Sequence, residues 1–514
     1  MAQILRDVYI GVMLALALKT ATSVAAPNIV VFYADDQGNG DQPFANPDIL
    51  EMPNYRRIVD AGMTFTDGHS ASAVCTPSRY GLLAGRNSHR ALARGGVLQR
   101  VDRNPVFDEE ERNRTLPAML SRAGYGTYMV GKWHLGQDIQ GKRYNRDFSE
   151  AIRMGPHDVG FDHSFWVLTS ANGPFQAYIE DDMCTEPANL YTRKTKVPGG
   201  IVVKADQSVQ TTTFQQPYQD PSTVPKPKLE KGIEIAANFR TPYLMSNLTE
   251  HALGYIEYHL DTRPLDPFFL YFAATTPHLP VTAHPDFAGQ SSYGLWADMF
   301  TELDFRVGEI LDALEAHNVH ENTLFIWTSD NGPESIYRKL LNTGYDAQNG
   351  LTGSKRSIYE GGHRVPMIMQ WPDAIAAGSI SDLPVSQVDF FATFAELAGA
   401  SYDGSIMGQD SISFAPELRG AAGGVRHLSP LVAESKSATI SLRAGELKFI
   451  PEKQMCFNLT ADLTESRNLW KTIKKDYQRK LKSIVISLEK DELFLNEMAS
   501  LKAYQDLLTE DIFK

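Results

Sequence analysis

Four segments of the chain share one pattern, a short apolar run that stops abruptly at polar and titratable residues. They are "NIVVFYADDQG" from Asn28, "YGTYMVGKWHLG" from Tyr125, "PFFLYFAATTPHLP" from Pro267 and "NTLFIWTSDNGP" from Asn322. A fifth run, "VPMIMQWP" from Val365, looks similar. Runs of this length bounded by turn residues predict strands, and their unbroken apolarity predicts parallel strands covered on both faces. Between the third and fourth runs, Phe300, Leu303, Val307, Ile310, Leu311 and Leu314 keep the spacing of one helix face. Strands alternating with helices predict an α/β fold, a large mostly parallel sheet sandwiched by helices.

The pattern changes twice. From Phe175 to Gly232 the chain turns rich in Pro, Gln, Thr and Lys, which predicts a long surface insertion. From Ala421 a strand-like "LRAGELKFI" and a final amphipathic helix predict a smaller C-terminal α+β subdomain with antiparallel strands. One face of that helix would carry Leu469, Trp470, Ile473, Tyr477, Leu481, Ile484 and Leu488. The expected division is a leader over 1–25, a main domain over 26–420 and the subdomain over 421–514.

The leader is read from Arg6, the apolar run "VYIGVMLALAL" and the small residues Ser23 and Ala25. This is the layout of a secretory signal peptide, and the run is too short for a membrane anchor. It implies a secreted or periplasmic protein, lysosomal or extracellular in a eukaryote, with no membrane span. A net charge of −13 argues against nucleic acid as a partner and means an anionic ligand needs a local cluster of cations. Three cysteines, Cys75, Cys184 and Cys456, cannot all pair within the chain.

Chemistry concentrates where the apolar runs end, because open α/β sheets bind ligands at the carboxyl ends of their strands. "ADDQGNGD" supplies Asp35 and Asp36, and "TSDNGP" supplies Asp330 and Asn331. Either pair alone reads as a turn or helix cap. Together they are a hard all-oxygen set suited to Ca²⁺ or Mg²⁺ and poorly suited to Zn²⁺. "GKWHLG" gives Lys132 and His134, whose alternate spacing would turn both to one side of a strand. "TTPHLP" gives His278 and "GSKRSIYEGGHRVP" gives Lys355. In "AVCTPSRYGLLAGR", Pro77 just after Cys75 predicts that the cysteine opens a helix, where amide groups and the helix dipole favour an anion. An isolated cysteine reads as a small buried apolar residue. The spacing C-x-P-x-R, from Cys75 to Arg79, is far more specific.

With these six motifs in order, the chain resembles the formylglycine-dependent sulfatases, the type I sulfatases of the alkaline-phosphatase superfamily, from Pro27 to "NLTADLTESRNL". The resemblance implies an alkaline-phosphatase-like fold and Cys75 converted to 3-oxoalanine (formylglycine) by a maturation enzyme. It implies Ca²⁺ held by Asp35, Asp36, Asp330, Asn331 and the hydrated residue 75. Arg79 would steady the nucleophile, Lys132 and Lys355 neutralise the sulfate, His278 protonate the leaving alcohol and His134 deprotonate the diol. Asp330 is a candidate proton acceptor during attack. Ser170 is a loosely aligned addition to the sulfate pocket, and Asn172 a candidate for substrate recognition. The expected substrate is a sulfated small molecule or glycan. The alternatives are a phosphonate monoester or phosphodiester hydrolase of the same superfamily, or a non-catalytic sulfated-glycan binder.

Overall fold

The computed structural model describes residues 25–91, 96, 98, 106–142, 145–188, 190–191, 201–202, 234–335, 344–421, 430–490 and 513. The expected leader lies outside them, apart from Ala25, as does most of the insertion. A ten-stranded sheet runs through the body. Its order is Met183–Cys184, Ile179–Glu180, His163–Val167, Gly126–Lys132, Phe268–Pro277, Asn28–Asp35, Thr323–Ser329, Met367–Gln370, Met63–Phe65 and Ser379–Ser381. The five strands from His163–Val167 to Thr323–Ser329 are parallel to one another. The expected parallel centre is therefore present, with antiparallel strands flanking it.

One expectation needs correction. The run from Val365 forms a strand, Met367–Gln370, but it lies antiparallel to Thr323–Ser329. A four-residue apolar run carries no information about direction, and its neighbour on the other side, Met63–Phe65, also runs against it.

Helices form two groups. Leu295–Ala316 packs on both Pro53–Ala61 and Leu244–Thr262, and Cys75–Ala84, Leu116–Arg122 and Phe390–Leu397 pack on one another, with strand Gly126–Lys132 touching members of both. Phe300, Leu303, Val307, Ile310, Leu311 and Leu314 are all buried on Leu295–Ala316, as their spacing predicted. Within the core, Phe32 meets Phe272 and Trp327 at ring-centroid distances of 5.1 and 5.0 Å. Among the described residues no helix is long and apolar enough to cross a membrane.

Register determines where the chemistry falls. Strand Asn28–Asp35 aligns Asp35 with Pro277 on one side and Ala34 with Ser329 on the other. Strand Phe268–Pro277 in turn aligns Ala273 with Gly131. The residues after each strand, Asp36, His278, Asp330 and those around Lys132, therefore leave the sheet on one rim. Gly131 makes that approach possible: it has φ 107°, and a Cβ there would lie 1.9 Å from Ala273 O.

The C-terminal subdomain is a four-stranded antiparallel sheet, Leu431–Glu434, Ile440–Ala444, Leu447–Ile450 and Met455–Asn458, with helix Lys475–Glu489 against it. "LRAGELKFI" is a hairpin rather than one strand, turned at Gly445 with φ 56°. The final helix is also shorter than its pattern suggests. Leu469, Trp470 and Ile473 precede it, in a short 3₁₀ turn and an extended step at Ile473. Trp470 and Ile473 still enter the same apolar cluster as Phe449, Cys456, Tyr477 and Leu481. The flanks of the insertion form a small sheet in which Glu234–Ile235 pairs with Phe175–Gln176 and Leu190–Tyr191.

Candidate active site

Cys75 is the first residue of helix Cys75–Ala84, with Val74 extended before it, as Pro77 predicted. The thiol is 1% exposed, and burial raises its pKa against the pull of Lys132 and Lys355. None of the three cysteines is in a disulfide.

Arg79, one turn along the same helix, is fully buried. Its Nη2 and Nε donate to Asp330 Oδ2 at 2.7 and 3.1 Å, and its Nη1 donates to Lys132 O at 2.8 Å. Burial alone would lower the guanidinium pKa; Asp330, Tyr271 and Asp35 raise it instead. Arg79 thus ties the helix that Cys75 opens to two strand ends at once.

The acidic residues converge as the strand ends require. One ligand atom each of Asp35, Cys75 and Asp330 lie within 4.8 Å of one another, and so do those of Asp35, Asp36 and His278. Asp36 has φ 75°, a left-handed conformation that side chains adopt at a cost. Its amide donates to Asp330 Oδ1 at 3.1 Å, and Asn331 Nδ2 donates to Asp36 Oδ1 at 2.7 Å. Lys132 Nζ donates to both oxygens of Asp35 at 2.9 and 2.7 Å, and Lys355 Nζ donates to Asp36 Oδ1. Ser170 Oγ donates to Asp35 Oδ2 at 2.9 Å, which brings that residue into the site. Asn172 is half-buried two residues on.

These contacts leave acceptors over. Asp36 Oδ2 and Asn331 Oδ1 are buried with no hydrogen-bond partner among the described residues. Burial and the nearby Asp35 push the Asp330 carboxyl up to about 6 despite Arg79. Burial also acts to raise Asp35, but Lys132, His278 and Arg79 override it and hold that carboxyl well below its usual range. Orphaned oxygens beside crowded carboxylates are the donor set of a hard divalent cation, so these residues fit Ca²⁺.

The histidines differ. His278 Nδ1 donates to Leu279 O at 2.8 Å, leaving Nε2 3.7 Å from Asp36 Oδ2, and the side chain is 15% exposed. Burial lowers its pKa, opposed by Asp35 and Asp36. His134 departs from the expected geometry. The strand ends at Lys132, and His134 has φ 59°, so alternate strand spacing does not set its direction. Its Nε2 bonds Leu98 O at 3.0 Å and therefore carries the proton; Nδ1 is a buried lone pair without a partner. Burial, then Lys132 and Arg79, hold the ring neutral by lowering its pKa far below the usual value.

Supporting residues had no legible signal. Gln387 accepts from Tyr33 Oη at 2.6 Å and donates to Thr328 Oγ1 and Ser329 O at 3.0 and 2.7 Å, fixing the strand end before Asp330. Glu434 O, from the C-terminal sheet, accepts from Ala73 N at 2.8 Å and Ser72 Oγ at 3.1 Å, just ahead of Cys75. Glu434 Oε2 accepts from Ser88 Oγ beyond the helix.

A family model described as Sulfatase matches residues 27–400. N-acetylgalactosamine-6-O-sulfatase of Bacteroides thetaiotaomicron is 31% identical, the alignment covering 72% of each chain. Human arylsulfatase A is 30% identical over 87% of this chain and 80% of its own. A solved structure from work on glycosaminoglycan metabolism by Bacteroides thetaiotaomicron superposes with TM-score 0.72 at 25% identity, covering 90% of this chain and 99% of that one. The chain belongs to the sulfatase family. It is a sulfatase, a type I enzyme resembling the carbohydrate and aryl sulfatases.

Proposed function

We propose that the protein hydrolyses a sulfate ester on a sulfated carbohydrate, using Cys75 converted to formylglycine as nucleophile and Ca²⁺ held by Asp35, Asp36, Asp330 and Asn331 with residue 75. The observation that carries this reading is the meeting of Cys75, the acidic cage with its orphaned oxygens, and four cationic or proton-moving side chains on one buried rim. The carbohydrate class rests on similarity to an N-acetylgalactosamine-6-O-sulfatase. Bound Ca²⁺ would supply a Lewis acid and template, and the hydrated aldehyde a hydroxyl nucleophile with a second hydroxyl that lets sulfate be eliminated.

The chain's own residues have roles that follow from their contacts. Arg79, clamped between Asp330 and Lys132 O, fixes the orientation of the helix start. Lys132 and Lys355 each have a further N–H free to turn to a sulfate oxygen. His278, its Nδ1–H fixed on Leu279 O, directs Nε2 toward the cluster; only as an imidazolium, the form that Asp35 and Asp36 favour, would its Nε2–H protonate the leaving alcohol. His134 offers an unprotonated Nδ1, suited to accepting the diol proton. Asp330 is the candidate acceptor during attack. A phosphate-type substrate is disfavoured by the Lys132, His134, His278 and Lys355 set, and a binder has no use for an activated residue 75.

Peptide mass spectrometry tests this reading. Protein made in a host with the maturation enzyme should carry an aldehyde at residue 75, and Cys75→Ala should lose turnover. Full activity in a preparation holding only the unmodified thiol would overturn it.

A further inference from the structure

The charged residues of the site are shut away from solvent with few exceptions. The side chains of Asp35, Asp36, Arg79, Lys132 and Asp330 are 0% exposed and that of Lys355 is 1% exposed. Beside His278, at 15%, the open member of this neighbourhood is Arg356, at 38%, paired with Glu334 at 13%. Arg356 follows Lys355, and Glu334 lies three residues after Asn331. Lys355 N donates to Pro333 O at 2.9 Å and Arg356 N donates to Ala73 O at 2.7 Å, two residues before Cys75. Lys436 N, from the C-terminal sheet, donates to Arg356 O at 3.2 Å. Arg356 is held at φ 78°, where side chains are strained, so its backbone is pinned on both sides in a conformation it would not choose. Strain retained beside a reacting centre, on a charged side chain that keeps 38% of its surface exposed, calls for a functional reason.

We propose that the Arg356–Glu334 ion pair reads the alcohol half of the substrate by binding two neighbouring hydroxyls of the sulfated sugar. This rests on the sulfatase reading above. The sulfate end is enclosed by buried cations, so the sugar must meet the residues of this neighbourhood that keep exposed surface, and Arg356, close enough to feel the charges of Asp36 and residue 75, is the most exposed of those named. Arg356 Nη1 donates to Glu334 Oε1, which also accepts from Ser335 N and Oγ at 2.9 and 3.1 Å, so Glu334 Oε2 is the acceptor offered and the remaining guanidinium N–H groups are the donors. Adjacent hydroxyls offer the matching pattern of one acceptor and one donor. The pair carries no net charge, so a second anion on the substrate gains little from Arg356.

The test compares kcat/KM for a panel of sulfated monosaccharides, including 6-O-sulfated N-acetylgalactosamine and galactose, with that for 4-nitrocatechol sulfate. In Arg356→Gln and in Glu334→Gln, kcat/KM for the best sugar sulfate should fall relative to the aryl sulfate by about tenfold or more, the loss expected for hydrogen bonds to charged groups. Most of it should appear in KM. Arg356→Lys should not restore the ratio, since an ammonium lacks the planar fork. An unchanged ratio, or a rise in turnover of a disulfated sugar in Glu334→Gln, overturns the proposal, the latter by showing that Arg356 seeks an anion. Melting curves identify a variant that has unfolded, and the other variant then decides. Wild-type protein inactive on every sulfate ester would instead defeat the sulfatase reading.

Discussion

Among the described residues, two buried clusters of charge invite comparison, and one of them has the character of a reaction site. The first is the cage of Asp35, Asp36, Asp330, Lys132, Lys355 and Arg79. The second joins the body to the C-terminal sheet through Asp67, His69, Glu360, His363, Lys448 and Glu465. Ligand atoms of His69, Glu360 and His363 lie within 4.8 Å of one another, as close as those of Asp35, Cys75 and Asp330. In the second cluster, however, the imidazole nitrogens are all engaged. His69 Nδ1 meets His363 Nδ1 at 2.9 Å, His69 Nε2 meets Asp67 Oδ1 at 2.7 Å, and His363 Nε2 meets Lys448 Nζ at 3.1 Å. Lys448 Nζ also lies 2.8 Å from Glu360 Oε1 and 3.0 Å from Glu465 Oε1. An ammonium group thus sits where a metal would otherwise be drawn. The first cluster, with its neighbours Asn331 and His134, leaves Asp36 Oδ2, Asn331 Oδ1 and His134 Nδ1 without a hydrogen bond, whereas in the second Glu465 Oε1 alone lacks one and it lies 3.0 Å from that ammonium. Density of charge does not distinguish a site from a joint; unspent hydrogen-bonding capacity does.

The comparison can be broken by mutation. Asp35→Ala or Asp330→Asn should bring the largest effect, loss of bound Ca²⁺ measured by elemental analysis and of nearly all turnover. Asp330→Asn separates shape from charge, because it keeps the first and removes the second. Full activity after exhaustive chelation, with no metal found, would show that the oxygens serve another purpose. Lys448→Met should act on stability instead, costing about 3–5 kcal/mol by leaving buried carboxylates unpaired. Denaturant unfolding reads that loss, while kcat/KM of the folded fraction should stay close to wild type.

A smaller, pH-dependent effect comes from a third buried pair. Arg90 Nε and Nη2 donate to Asp410 at 2.7 and 2.8 Å. Burial would raise the Asp410 carboxyl, but Arg90 overrides it and the folded pKa lies below the unfolded value. That contribution is complete above about pH 4 and is lost as pH falls through the depressed folded value. Asp410→Asn should therefore flatten the acid side of the stability profile, measured by urea unfolding between pH 3 and 7.

What could be read in advance has a physical pattern. Asp35, Asp36, Lys132, His278 and Asp330 were legible because each directly follows, ends or adjoins a strand, and parallel register brings such positions to one rim. Cys75 was legible because Pro77 marks a helix start. The direction of the Val365 run was not, since a short apolar strand reads the same either way. His134 defeated the alternation argument because the strand stops two residues earlier. Ile473 matched a helical stripe yet stays extended, for its burial depends only on facing the same cluster. Gln387 and Glu434 were hidden for a different reason. Their partners lie from 58 to 362 residues away, and a glutamine or glutamate on its own carries no mark of what it will hold.

The bond from Ser72 to Glu434 spans 362 residues. A ribosome adding roughly 5–20 residues per second needs on the order of 20–70 s to pass from one to the other. Through that interval the segment leading into Cys75 cannot acquire its last fastening, whatever the rest of the nascent chain has done. On the proposed reading, the thiol that ends 1% exposed would be open to its maturation enzyme before that fastening forms. The late synthesis of one strand sets a clock on the chemistry available to the residue at the centre of the site.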